Sequence, residues 1–174
     1  MEEVRTFLRL VRVCPQFPND YFTYRLSTKR ASSRTMSEKS EQLKARTEAF
    51  AIAVVKFCDT MPSSMAGRRI AQQLLDAGTS VAANYRAVCR AYTSPLFISK
   101  LAIVDEEADE SEFWFRIIRS TGLARGPVMA SLEQEAHELA CIFGASLKTA
   151  RRNARKRRAE KRKERDQTRN SRLS

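Results

Sequence analysis

The strongest constraint in the chain is the stretch RIAQQLLDAGTSVAANYRAV, Arg69 to Val88. Ile70, Leu74, Ala77, Val81, Asn84 and Val88 recur at alternating spacings of four and three. Leu75, Gly78, Ala82, Tyr85 and Cys89 make a second row beside the first, at spacings of three and four. A period of 3.6 residues places each row on one face of a helix. A helix with two adjoining apolar rows can pack against several neighbours at once. Gly78 costs about 1 kcal/mol relative to Ala in an exposed helix, but with Ala77, Ala82 and Ala83 it makes the segment thin enough for a close neighbour. The polar member of the first row is Asn84. A buried Asn there would hydrogen-bond across helices and set register or oligomer state.

Three further helices follow from the same period. The first is expected over about Ser37 to Thr60, with Ser37, Glu38, Ser40 and Glu41 at its start. Its seam is Leu43, Thr47, Phe50, Val54 and Phe57, widened by Ala51, Val55 and Cys58. Met61-Pro62-Ser63-Ser64 ends it and offers a cap for the helix over about Ser64 to Ala91. Ser94-Pro95 opens a third helix, to about Thr121, with Gly122 past its end. Phe97, Leu101, Val104, Ala108, Ser111, Phe115 and Ile118 form its seam, and Ile103, Glu107, Glu110, Trp114 and Ile117 a second row. The fourth begins near Pro127 or Ser131, where Ser131 and Gln134 resemble a capping box. Leu132, Ala136, Leu139, Phe143 and Ser146 carry its face, and the apolar pattern ends at about Leu147. Four amphipathic helices with short connections predict an all-α, antiparallel up-down-up-down four-helix bundle.

Charge separates the chain into three regions. The net charge is +12 over 174 residues. Residues 1–35 hold seven Lys+Arg against three Asp+Glu, 36–147 twelve against fourteen, and 148–174 thirteen against three. The bundle, 36–147, is therefore mildly acidic and the basic excess lies in the C-terminal tail. That tail has no core-facing stripe, so it either continues the helix in solvent or is disordered. Residues 1–35 show no sustained period and are broken by Pro15 and Pro18. They read either as a disordered arm or as an upstream over-extension of a chain that starts at Met36. Cys14, Cys58, Cys89 and Cys141 are widely spaced without a CxxC pair, as suits buried, reduced residues in a cytoplasmic protein rather than disulfides or zinc ligands. No run approaches the roughly 18–20 apolar residues of a membrane span, so no membrane partner is expected.

Catalytic and metal readings find little support. A di-iron bundle needs Glu-x-x-His motifs on its helices. His137 has Gln134, not Glu, three residues before it. His137 and Cys141 are spaced i, i+4, but two ligands do not make a stable zinc site. No Gly-rich phosphate loop or nucleophile–base motif is present, so no cofactor, metal or catalytic residue is expected. Glu107 and Glu110 read instead as partners for Arg69, Arg86 or Arg90 at a helix or subunit interface.

The stretch AQQLLDAGTSVAANYRA resembles the core motif of the bacterial four-helix-bundle proteins known as 23S rRNA intervening-sequence proteins. In that family a helix carries Gln-Leu, a small residue, Ser-Ile/Val and then Asn. Here these are Gln73-Leu74, Ala77, Ser80-Val81 and Asn84. The next helix is similar to the family's third, with Phe97, Lys100-Leu101, Glu107, Glu110-Ser111 and Trp114. The likeness covers roughly residues 40–150. Where the family usually has Glu-Gly after its Asn, this chain has Arg86-Ala87. The resemblance implies a bundle that assembles into a ring-shaped homopentamer, with no general catalytic activity. One branch of similar fold, the accessory proteins of diversity-generating retroelements, works with a reverse transcriptase and nucleic acid through a basic surface.

Two functional expectations follow. In the first, a non-enzymatic oligomeric scaffold binds RNA or DNA through Lys148, Arg151, Arg152, Arg155, Lys156, Arg157, Arg158, Lys161, Arg162, Lys163 and Arg165. The tail contains no aromatic residue, so contact would be to phosphates, non-specific and salt-sensitive. An rRNA or a reverse-transcriptase complex would be the partner. Asn84, Tyr85, Arg86, Glu107, Glu110 and Trp114 would serve the bundle and the subunit interface. In the second, the bundle ring is an adaptor for a protein partner and the tail only aids solubility. Removing the tail and following nucleic-acid binding against salt separates the two.

Overall fold

The computed structural model describes residues 38–170. The expectations for 1–35 and for Cys14 lie outside the described residues. Four helices make up the described chain: α1 (Glu38–Cys58), α2 (Met65–Cys89), α3 (Ser94–Thr121) and α4 (Pro127–Asn170). No strand occurs among the described residues.

Local chemistry sets the ends. Ser64 caps α2, its hydroxyl accepting from the Gly67 amide at 3.0 Å. The cap of α3 is Thr93, one residue earlier than the Ser94-Pro95 pattern suggested. Its hydroxyl accepts from the Leu96 amide at 3.3 Å, and Ser94 already has helical backbone. Gly122 closes α3 at φ 69, a left-handed conformation that an L side chain resists. α4 begins at Pro127, the earlier of the two expected starts. It does not stop at the end of its apolar pattern. The segment after Gly144 is rich in Ala, Arg, Lys and Glu, strong helix formers, and contains no Pro or Gly.

One core joins all four helices, built around Phe50, Val54, Leu74, Tyr85, Leu101, Phe115, Leu139 and Phe143. Phe57 meets Phe115 at 5.6 Å between ring centroids, and Tyr85 meets Phe143 at 5.5 Å. The α1 and α4 seams are buried as expected, and so is the α3 seam except Phe97, which is half-buried. The widening of α1 is not: Ala51 and Cys58 are half-buried, and Val55 points outward beside Ile52, at 40% and 51% exposure. On α2 the buried strip runs between the two predicted rows, through Leu74, Ala77, Gly78, Val81, Ala82, Tyr85 and Val88. Ile70, Leu75, Asn84 and Cys89 flank it, half-buried. The small residues allow a close approach, since a Cβ on Gly78 would lie 2.8 Å from Val54 Cγ1. Burial on α4 continues through Thr149 and Ala150, slightly beyond Leu147. Buried hydroxyls bond back along their own helices, Thr47 to the Lys44 carbonyl and Ser111 to the Glu107 carbonyl. Among the described residues no buried side-chain nitrogen or oxygen lacks a partner.

A candidate nucleic-acid interface

The basic residues singled out in the tail lie on the distal half of α4. That helix runs 44 residues without a break. Up to about Arg157 it lies beside α3, where the Arg157 guanidinium donates to the Ser94 hydroxyl at 3.3 Å. Every residue from 155 to 170 is exposed.

Helical geometry sorts these charges. Arg151, Arg155, Arg158, Arg162, Arg165 and Arg169 follow one another at spacings of four and three. At 100° per residue they occupy an arc of about 80°, and they extend over roughly 27 Å. Lys148 and Lys161 border this stripe, one on each side, and Asp166 lies on the Lys148 side. The opposite half of the helix carries Arg152, Lys156, Arg157 and Lys163 together with Glu160 and Glu164, so half of its positive charge is offset. The basic excess is thus concentrated on one side, a property that a disordered tail of the same composition would lack. Arginine also offers a planar fork of donors that matches phosphate oxygens, and its charge does not titrate.

The residues expected to serve the bundle and the subunit interface are divided between α2 and α3. Asn84 is half-buried, and its amide donates to the Ser80 carbonyl of its own helix at 3.0 Å rather than across helices. Tyr85 is a core residue, 1% exposed, its hydroxyl bonded with Ser40 and Cys89 and its pKa pushed up by burial. Arg86 pairs with Glu48 of α1 at 3.3 Å, both well exposed, so its partner within the chain is neither Glu107 nor Glu110. Glu110 accepts from the Trp114 indole at 2.9 Å, one turn away. Glu107 sits near carboxylates rather than arginines. Burial, then Glu110, Glu106 and Asp76 of α2, push its carboxyl above the usual range. Which residue of α2 faces α3 depends on the rotation of each helix, and that rotation brings Asp76 towards Glu107.

One ion cluster had no signal in the periodicity. Arg46 of α1 reaches α4 and grips Glu135 with two hydrogen bonds, at 2.7 and 2.8 Å, and Glu138 with a third at 2.6 Å. It joins the two helices that stand furthest apart in sequence. An open groove beside Phe57, Pro62, Leu123, Val128 and Met129 is largely apolar, with Lys56 and Arg125 as its charged lining. Among the described residues no group of three or more His, Cys, Asp or Glu could hold a metal ion. Nor is any helix there long and apolar enough to cross a membrane.

Over the described residues, fold and surface together define an all-α four-helix protein whose last helix carries a basic extension with its charge concentrated on one side. Comparison with known proteins gives the particular family. The 23S rRNA-intervening sequence protein profile matches residues 39–145. The chain belongs to that family, as its α2 and α3 motifs suggested. A similar solved structure is that of a protein of unknown function from the S23 ribosomal protein family of Bacteroides thetaiotaomicron. It is 25% identical, with a TM-score of 0.57 over 63% of this chain and 97% of that chain. No curated protein matches. The profile match ends at residue 145, so the basic half of α4 lies beyond it.

Proposed function

We propose that this protein is a non-enzymatic oligomeric scaffold, cytoplasmic, that binds nucleic-acid phosphates through the distal basic face of α4. The observation that carries the reading is the one-sided stripe Arg151, Arg155, Arg158, Arg162, Arg165 and Arg169 on exposed helix. Membership of the 23S rRNA-intervening sequence family favours an rRNA as the partner. A reverse-transcriptase gene beside the protein's own would point to a retroelement complex instead. The absence of aromatic residues from 148–170 suits phosphate contact without base stacking.

Within this proposal the helices run up-down-up-down, antiparallel, and the subunits form a homopentameric ring. The helix directions are supported at two points along α1: Phe57 lines one groove with Val128 and Met129 at the start of α4, while Arg46 reaches Glu138 further along it. A ring would gather five basic faces, and avidity would multiply contacts that are individually weak.

The test uses the full chain. The six stripe arginines are changed to Gln, and separately Lys156 and Lys163, on the opposite half, are changed to Gln. Binding of rRNA fragments and of duplex DNA is titrated against salt, with oligomer mass measured alongside. The slope of log K against log salt is about −0.9 per neutralised phosphate for B-form DNA and about −0.7 for single strands. The stripe variant is expected to lose about four to six contacts' worth of slope, and the opposite-face variant about one. Unchanged binding in the stripe variant overturns the reading and favours the protein-adaptor alternative, in which the acidic bundle surface around Asp76, Glu106 and Glu107 meets a basic protein. A truncation should fall after Ala150, because Thr149 and Ala150 still belong to the core.

A further inference from the structure

We propose that Cys141 is a reactive thiol, a modification site for low-molecular-weight disulfides, activated by His137 and Glu112. The three side chains come from two helices and form a line. Glu112 of α3 lies 3.1 Å from His137 Nδ1. His137 Nε2 lies 3.7 Å from Cys141 Sγ, one turn further along α4.

The order of groups decides the proton positions. An ionised carboxylate can only accept, so the Glu112 contact holds the hydrogen on Nδ1. That leaves Nε2 as the bare nitrogen, and Nε2 is the one that faces the thiol. The Sγ–H of Cys141 therefore donates to Nε2. Transfer of that proton gives a thiolate beside an imidazolium that Glu112 also stabilises. Glu138, the carboxylate one residue after His137, is engaged by Arg46 at 2.6 Å, which offsets its repulsion of a thiolate. The two ring nitrogens lie on opposite sides of the imidazole, so the arrangement suits proton relay and not the chelation of one ion.

Both His137 and Cys141 are exposed, so a solute can reach the sulfur; Cys141 is thus not the buried thiol that its helical context suggested, because it lies off the apolar face of α4. The other described cysteines differ. Cys58 is half-buried, its thiol donates to the Ala71 carbonyl at 3.4 Å, and burial pushes it up to about 11. Cys89 is half-buried beside Tyr85, and burial raises its pKa too. Among the described residues there are thus two thiols kept protonated by burial and one, at the surface, provided with a base.

With glutathione disulfide as the reagent, the Cys141 thiolate attacks one sulfur of its S–S bond. A new Sγ–S bond forms as the reagent bond breaks, and the departing thiolate takes the proton from His137 Nε2. The products are a mixed disulfide on Cys141 and one equivalent of glutathione. The reagent disulfide is the oxidant, so the exchange balances.

The experiment compares wild-type protein with His137→Gln, His137→Asn and Glu112→Gln, all full-length and reduced. Each is treated at pH 7 with iodoacetamide or with glutathione disulfide, and the rate at each cysteine is read by peptide mass spectrometry. A thiol with pKa near 8.5 is only about 3% thiolate at pH 7. Complete ionisation would raise that fraction about 30-fold, and the weaker nucleophilicity of a more acidic thiol takes back part of the gain. The expected result is a Cys141 rate about five- to tenfold faster in wild type than in either His137 variant, with Glu112→Gln between them. Cys58 and Cys89 serve as internal references: steady rates there show that the fold is intact. Equal Cys141 rates in wild type and both His137 variants overturn the proposal, leaving exposure alone to account for any reactivity. Nucleic-acid binding is not read, so failure here is independent of the function proposed above.

Discussion

Gly78 is the point where one added methyl group should reverse an ordinary rule. In a helix, Gly→Ala is expected to stabilise by about 1 kcal/mol. At residue 78 the new Cβ would stand 2.8 Å from Val54 Cγ1, 3.0 Å from Cγ2 and 3.2 Å from Cβ. Relaxed carbon contacts lie at about 3.5–4.0 Å, so the closest falls short by roughly 0.7 Å or more. Val54 has no room to yield. It is 0% exposed, and a β-branched side chain in a helix has essentially one rotamer. α1 must therefore move away from α2, and overpacking of this kind costs about 1–3 kcal/mol. The net expectation for Gly78→Ala is a loss of up to about 2 kcal/mol. Removing the two Val54 methyls should relieve the two closest contacts and leave only the 3.2 Å approach to Cβ, which a shift of a few tenths of an ångström accommodates. In a Val54→Ala background the same substitution is expected to be neutral or to stabilise by up to about 1 kcal/mol. Urea unfolding of the four proteins, followed by far-UV circular dichroism at one fixed concentration, measures the cycle. The concentration is held because the stability of an oligomer depends on it. An equal effect of Gly78→Ala in both backgrounds would refute the close-approach argument.

Other expectations are simpler. Arg46→Ala should destabilise by about 1–3 kcal/mol, between surface and buried pairs, because it leaves Glu135 and Glu138 partly buried together. Arg46→Lys should recover only part of this, since the ammonium cannot reproduce the two-pronged grip; full recovery in a urea melt would count against it. Glu107→Gln should stabilise the protein at pH 7. The fold raises the Glu107 pKa above its ordinary 4.5, so the folded state binds that proton more tightly. Its unfavourable contribution is absent below about pH 4.5 and grows as pH rises through the folded pKa. The gain from Gln should therefore shrink towards pH 4, and a gain independent of pH would argue that desolvation and neighbouring carboxylates are not its cause.

The number, order and approximate extents of the helices were legible in the sequence, and so were most of the core faces. Leu74, Val81, Leu101, Phe115, Leu139 and Phe143 are buried where the period placed them. This is local information, since a repeat of 3.6 residues marks a face whatever that face meets. The motifs in α2 and α3 were likewise enough to indicate the family. The boundary of α4 was less legible, because the apolar face ends before the helix does. The high helix propensity of the following Arg, Lys, Ala and Glu residues carried the better signal.

The sequence by itself thus determined an all-α chain with a basic end, because amphipathic period and charge are properties of consecutive residues. Only the tertiary structure decided which side chains meet: Arg46 with Glu135 and Glu138, Arg86 with Glu48, Asp76 towards Glu107, and Glu112 with His137. Each of these depends on how far one helix is turned and shifted against another. A turn of one residue, about 100°, replaces every partner on a polar flank while the apolar seam still finds a core. Hydrophobic burial is non-directional and tolerates that change, but hydrogen bonds and ion pairs do not.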